Sequence, residues 1–434
     1  MINRISEEFA AAASHLPAAM LSAERRRSAL QALETEGLPT SREENWKYIN
    51  LRPLETVRFA PSRDQRAAAL LTSAELPPPI QGYARYTFVD GVFAPALSAA
   101  TDRAGVRVRS MSRDCGSPAE SDAAPVRWPN DLRFALLSEA FATDGASIVV
   151  AEGADCPSCV ELVFVATAAS NTAASYPRVE IQVAAQARVG LIERHVSIGS
   201  DANFINALVK IDLARAAFVQ HHRVQQTGAH ALWYDTLSAH LAEASRYQLF
   251  CVNLGAQTAR STVNIQLNGE RAEVDLYAVA VGDRRQVHDT YAYVEHLAPR
   301  ARTGQYFRGI SSGRARVAFN GKIIVSKDAQ GTDSRQSLRG LLAGPDAEID
   351  VRPQLEIYTD DVRCSHGATA GKLDDEMLFY MLSRGLERDA AQRLLKWAFL
   401  EDVVAKIEVP ELRRQIEHSL AGQLGESAAL QELL

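Results

Sequence analysis

No stretch of the 434-residue chain approaches the roughly 20 consecutive apolar residues of a membrane-spanning helix. Basic excess is also lacking: 47 Lys and Arg against 53 Asp and Glu leave a net charge of −6, the wrong sign to neutralise a nucleic-acid backbone. Cysteine is scarce, and Cys115, Cys156, Cys159, Cys251 and Cys364 are an odd number at scattered spacings, unlike a disulfide framework. The N-terminus has no secretory pattern, since Glu7 and Glu8 precede an Ala-rich stretch broken by His15 and Pro17. The expectation is a soluble, cytoplasmic protein that meets neither membrane nor nucleic acid.

Several motifs are incomplete. Cys156-Pro157-Ser158-Cys159 has no second ligand pair, and a strand-like run, Val160 to Ala166, follows where a redox motif needs a helix, so a turn is expected. Gly367-Ala368-Thr369-Ala370-Gly371-Lys372-Leu373 has three residues between its glycines instead of four, and Leu373 stands where a phosphate loop needs Ser or Thr. Any ATP hydrolysis must therefore come from a partner. His221 and His222 are adjacent on an expected strand and face opposite sides. His288 lies beside Asp289 with no nucleophile to pair with, and no chemistry is assigned to it.

What the chain does contain falls into four parts. Residues 1–50 are helical, with a helix from Ser22 to Glu36 stopped by Gly37 and with Trp46 and Tyr48 as anchors for docking this arm. Residues 51–145 form a mixed connector that includes Pro77-Pro78-Pro79, Arg127-Trp128-Pro129-Asn130 and a short helix at Leu132 to Phe141. Residues 146–363 carry a strand repeat, and residues 364–434 are helical. The repeat shows in alternating apolar triplets whose last members are Val183, Leu213, Leu241, Leu267, Val294, Phe319 and Leu342, spaced by 30, 28, 26, 27, 25 and 23. Short strands repeating at this interval without long helices between them predict a β-solenoid, a right-handed β-helix. In the last part, Phe379, Leu394, Leu395, Trp397, Phe399 and Leu400 are expected to pack the helices together, with some left to face a partner.

Where strand gives way to helix lies Asp360-Asp361-Val362-Arg363-Cys364-Ser365-His366-Gly367. In an extended chain Cys364 and His366 point to one face and offer a sulfur and a nitrogen ligand to a metal. Two ligands do not close a tetrahedral site, so the pair points to a shared or transient one.

This segment resembles the C-terminal signature of the SufB/SufD family, scaffold subunits of the SUF iron-sulfur cluster assembly machinery. The matching residues are Pro353, Leu355, Glu356, Ile357, Asp360-Asp361-Val362, Cys364 to Thr369, Asp374, Phe379-Tyr380 and Ser383-Arg384-Gly385. Residues 37–48, Gly37 to Tyr48, are similar to the N-terminal motif of the same family. Ser365 and Gly367 flank His366 where the SufB branch tends to carry Glu on both sides, which favours the SufD branch.

The resemblance implies a non-enzymatic scaffold that joins a SufB-type paralogue through the β-helix ends and a SufC-type ABC ATPase through its C-terminal helices. It implies no cofactor stably bound by the chain alone, iron or a nascent cluster at the partner interface with His366 and Cys364 as ligands, and a possible homodimer when isolated. The contrasting expectation is a stand-alone solenoid enzyme, a polysaccharide lyase or a hexapeptide-repeat acyltransferase. Against it stand the missing export signal and the missing six-residue repeat.

Overall fold

In the computed structural model, which describes residues 1–62, 69–113, 130–167, 174–199 and 202–425, the alternating segments form a two-sheet β-solenoid of about seven turns. One sheet runs through Ala84–Val89, Asp155–Thr167, Arg188–Ile198, Phe218–Gln226, Arg246–Asn253, Glu273–Gly282, Arg302–Ser311, Thr332–Leu342 and Val362–Gly371. The other runs through Gly145–Val150, Arg178–Val183, Phe204–Leu213, Leu232–Leu241, Thr258–Leu267, Val287–His296, Arg316–Val325 and Glu348–Ile357. The chain alternates between the sheets, so each coil lies parallel to the coil before it, and the inward residues of both sheets share one core.

Coil-to-coil register follows the predicted columns at first: Val183 pairs with Leu213, Leu213 with Leu241, and Leu241 with Leu267. The later triplets are corrected. Leu267 pairs with His296, then Val325 and Ile357 follow, whereas Val294 pairs with Ile265 and Phe319 with Thr290. Leu342 lies in the other sheet, opposite Ser311. The slips within the sheet are by even numbers of residues, which preserve the inward face and are invisible to alternation. The column also passes through a histidine, which the apolar pattern skips.

Turns at one side of the coils carry residues that sequence patterning does not flag. Gln186, Ala216, Ala244, Arg271 and Arg300 take φ of 53–59°. A left-handed L-residue costs about 1–2 kcal/mol. Each of these five donates its amide N–H to a carbonyl in the next coil, at 2.7–3.1 Å, and a bond of that kind contributes about 0.5–1.5 kcal/mol and leaves no orphaned donor. The stacked turns thus largely offset their own strain.

Cys156-Pro157-Ser158-Cys159 is not a turn. It is a bulge within the strand Asp155–Thr167, where Cys156 pairs with Val189 and Val160 with Leu191. The extra residues fit because Gly190 faces them: a Cβ there would overlap the Pro157 carbonyl. Cys115 and Arg127-Trp128-Pro129 lie outside the described residues.

The N-terminal arm docks on the outer face of the second sheet. Helix Ala23–Glu36 is capped by Ser22, whose side chain accepts from the Arg25 N–H, and ends at Gly37. Trp46 is buried and stacks on Phe134 at 5.3 Å, with the Arg260 guanidinium 4.2 Å from its ring centre, while Tyr48 is half-buried.

Helices Arg388–Val404 and Pro410–Leu424 cover the outer face of the first sheet, setting Leu400, Val403, Leu412 and Ile416 against Val224, Phe250, Val279 and Ile310. Trp397 and Phe399 pack beside them, and Leu394 and Leu395 are half-buried. Phe379 departs from expectation. It lies on helix Asp375–Ser383, which buries only Leu378, and it is 72% exposed. Among the described residues no helix is long and apolar enough to cross a membrane.

His296 is fully buried, bonded to Thr303 at 2.7 Å and to Thr332 at 3.3 Å, and burial lowers its pKa from 6.5 to about 4. Burial lowers His288 to about 4 as well. The unfolded chain binds protons below pH 6.5 that the folded chain refuses until about pH 4, so these groups withdraw stability as pH falls through that window. His296→Leu, which repeats Leu267 one coil earlier, is expected to remove one proton from this dependence. Urea titrations between pH 7 and 4 should show a slope shallower by about 1.4 kcal/mol per pH unit.

Candidate functional site at the open end of the solenoid

The two ends of the stack differ. At the N-terminal end the parallel sheets are closed by short antiparallel strands, Val92–Phe93 on one and Val106–Ser110 on the other. At the C-terminal end Val362–Gly371 and Glu348–Ile357 each pair on one side only among the described residues and present an open backbone edge. The strand persists through Gly371, so Cys364 and His366 lie within it and the change to helix comes after Lys372. Residues 367–371, the glycine-flanked segment, are extended strand and form no phosphate-binding loop.

Register decides where the two candidate ligands point. Ser334 pairs with Cys364 and Gln336 with His366. One coil back, Thr303 pairs with Ser334 and Gln305 with Gln336. Thr303, Gln305, Ser334 and Gln336 are all buried inward residues, so Cys364 and His366 continue two polar columns of the solenoid interior. Cys364 is half-buried and packs against the core, whereas His366 is exposed because no further coil covers it. Across the end stands Pro353, which pairs with Gly321 on the inner face of the other sheet. The pair is therefore brought to one face, as alternation predicts. Among the described residues no group of three or more His, Cys, Asp and Glu gathers to complete a metal site.

A second polar island lies deeper inside and was not foreseen. Arg223 donates to Glu193 at 2.8 and 3.0 Å and to Asp235 at 2.6 and 2.8 Å; His195 meets Glu193 at 2.6 Å, and His221 meets Tyr247 at 3.0 Å. Burial alone would raise the Glu193 pKa, but Arg223 and the bonds from His195 and His221 hold it well below the usual carboxylate range. His221 thus lines the interior, while His222 stacks on Phe250 at 4.7 Å on the outer face. Between this island and the open end, Val274, Leu276, Ala278 and Ala280 form a wholly apolar inner strand. The island is sealed from the end and serves as buried structure. Each member was visible as a residue type, but their meeting depends on pairing across sheets, which spacing does not encode.

The described cysteines divide by environment. Cys156 and Cys364 are half-buried, and Cys159 and Cys251 are buried. Burial, reinforced by Cys156, pushes the Cys159 thiol up, and burial pushes Cys251 up to about 12. In native protein, maleimide is expected to label Cys156 and Cys364 faster than Cys159 and Cys251 by more than about tenfold, read by peptide mass spectrometry.

The family model described as SUF system FeS cluster assembly, SufBD core domain, matches residues 164–399. The iron-sulfur cluster assembly protein SufD of Escherichia coli is 32% identical over 397 residues, 89% of each chain. A SufBD family protein of Synechocystis is 28% identical over 92% of this chain and 90% of its own, and the chloroplastic protein ABCI7 of Arabidopsis thaliana is 30% identical over 58% and 53%. With the solenoid, its two ends and these likenesses together, the chain belongs to the SufBD family of SUF-system iron-sulfur cluster assembly proteins.

Proposed function

We propose that the chain is a non-catalytic scaffold subunit that completes an iron or nascent-cluster site together with a second solenoid of its own family, a SufB-type paralogue, in a SufBCD-type complex. The observation that carries this reading is the asymmetry of the stack: the one end without a cap is the end where a thiol and an imidazole emerge on the inner face. A second solenoid joined edge to edge continues both sheets, satisfies the open backbone groups, and sets its own inner columns beside Cys364 and His366. His366 is then an imidazole ligand to iron or to the forming cluster, with the partner contributing a thiolate. Cys364, tied into the core, is the weaker ligand of the two. Iron and sulfide are cargo here, and the chain's part is to hold a nitrogen donor at a fixed place.

An ABC-type ATPase is the second partner of this reading. Helix Asp375–Ser383 leaves Met377, Phe379 and Tyr380 exposed at 56%, 72% and 58% beside a groove of about 410 Å³ lined by Leu341, Leu373, Leu395 and Phe399. Apolar exposure on this scale supports a protein contact. The helix follows the final strand after only a short link, Lys372 to Asp374, so ATP-driven movement of the docked subunit would pull on the strand that carries Cys364 and His366.

The test is His366→Ala in the complex purified anaerobically with its partners. Iron content and cluster formation are expected to fall by at least about tenfold, the lower bound even for residues that merely support a metal ligand, with the subunits still assembled. Wild-type iron content and assembly rate in that variant would remove His366 from the site.

A further inference from the structure

Gln336 sits one strand inward from His366 on the same face, about 4.8 Å away across the parallel pair. It is 4% exposed. Its Nε2 donates to Gln305 Oε1 and to the Gly321 carbonyl, both at 2.8 Å. A backbone carbonyl only accepts, so the amide cannot turn over without facing oxygen to oxygen, and its orientation is fixed. With Nε2 turned to Gln305 one coil back, Oε1 is left on the side away from those two acceptors. Among the described residues that oxygen has no hydrogen-bond partner, and it is sealed from solvent. An orphaned buried acceptor costs about 1–3 kcal/mol.

The room for this arrangement is made by Gly321. A Cβ there would overlap Gln305 Oε1 and lie 2.8 Å from Gln336 Nε2. Two other buried donors close by also lack a partner among the described residues, Gln305 Nε2 and Ser334 Oγ. Gln305 lies one coil back and already meets Gln336 through its own oxygen, and Ser334 stands two residues along the same strand. On the open side, Pro353 has no N–H and Ser365 points to the opposite face of its strand, which leaves the exposed imidazole of His366 as the strong side-chain donor the final strand offers on this face.

We propose that Gln336 is a positioning residue for His366: its Oε1 accepts an imidazole N–H, fixes one tautomer and one ring orientation, and turns the other ring nitrogen out of the open end. This deepens the metal-ligand reading of His366 and, for its consequence on iron, rests on it. An acceptor behind a ligating imidazole holds the ring N–H on the inner nitrogen, so that the lone pair of the neutral ring faces out of the open end. Gly321 and Gln305 hold that acceptor in place, so the final strand's ligand is set by the coils beneath it.

The test is ¹⁵N NMR of the full-length chain labelled at histidine, with His366→Ala used to assign the resonance. In the wild-type chain His366 is expected to show the two well-separated ring-nitrogen shifts of a single neutral tautomer. Gln336→Leu, which deletes the acceptor, and Gly321→Ala, which displaces it without touching the imidazole, should both collapse these toward the averaged shifts of exchanging tautomers, while the buried histidines stay unmoved. An averaged wild-type signal overturns the proposal outright, even if neither variant folds. So does an unchanged single tautomer in folded Gln336→Leu. In the partner complex, Gln336→Leu is expected to weaken Fe(II) retention about 10–100-fold. If the tautomer shifts but His366→Ala leaves Fe(II) retention intact, the positioning stands and the ligand reading of His366 falls.

Discussion

Parallel backbone pairing from coil to coil places every inward side chain of this protein, and the rest of the structure depends on it. Because each coil repeats the register of the last, residues of like chemistry stand in columns, and a slip by one residue would turn each column out of the core. The left-handed turn residues, Gln186 to Arg300, hold that register at one side by bonding each turn to the next. The same constraint makes the inside a sequence of layers. The Glu193, Arg223 and Asp235 island, the apolar strand around Leu276, and the Gln305 and Gln336 pair follow one another toward the open end.

A repeating stack has to end somewhere, and the two ends are finished differently. The N-terminal end uses the antiparallel strands Val92–Phe93 and Val106–Ser110. Among the described residues the C-terminal end stops with both sheet edges unpaired and with its inner columns unfinished. An edge of this kind is a liability unless another chain covers it. Here it coincides with Cys364 and His366 on the inner face; on the proposed reading, one partner would both cover the edge and add ligands. A polar pair at the end of an otherwise closed core is stable because solvent reaches it, and that exposure also makes it available.

Much of this was legible in the sequence because solenoids write their repeat into the chain. Val183, Leu213, Leu241 and Leu267 fall in true register, and Cys364 and His366 share a face as alternation requires. The reading failed where the column changed chemistry. His296 occupies an inward position between Leu267 and Val325, and following apolar residues alone slid the later coils by even steps. The Cys156 to Cys159 bulge was hidden because its accommodation depends on Gly190 in a different coil. The Gln305, Gln336 and His366 column was within reach, since its members recur at the coil interval, but only once the coils are aligned by pairing does a polar inward column emerge. Phe379 lies exposed rather than packed, and the sequence does not tell which of the apolar residues on these helices are buried.

On the proposed reading the open end is half of a site. This reading is tested most directly by native mass spectrometry of the tagged chain purified anaerobically from its own host. The account predicts a heteromeric assembly containing a second SufBD-family solenoid and two copies of an ABC-type ATPase, with the free chain a minor species. Recovery of only the free chain or its homodimer across a range of salt concentrations would contradict it.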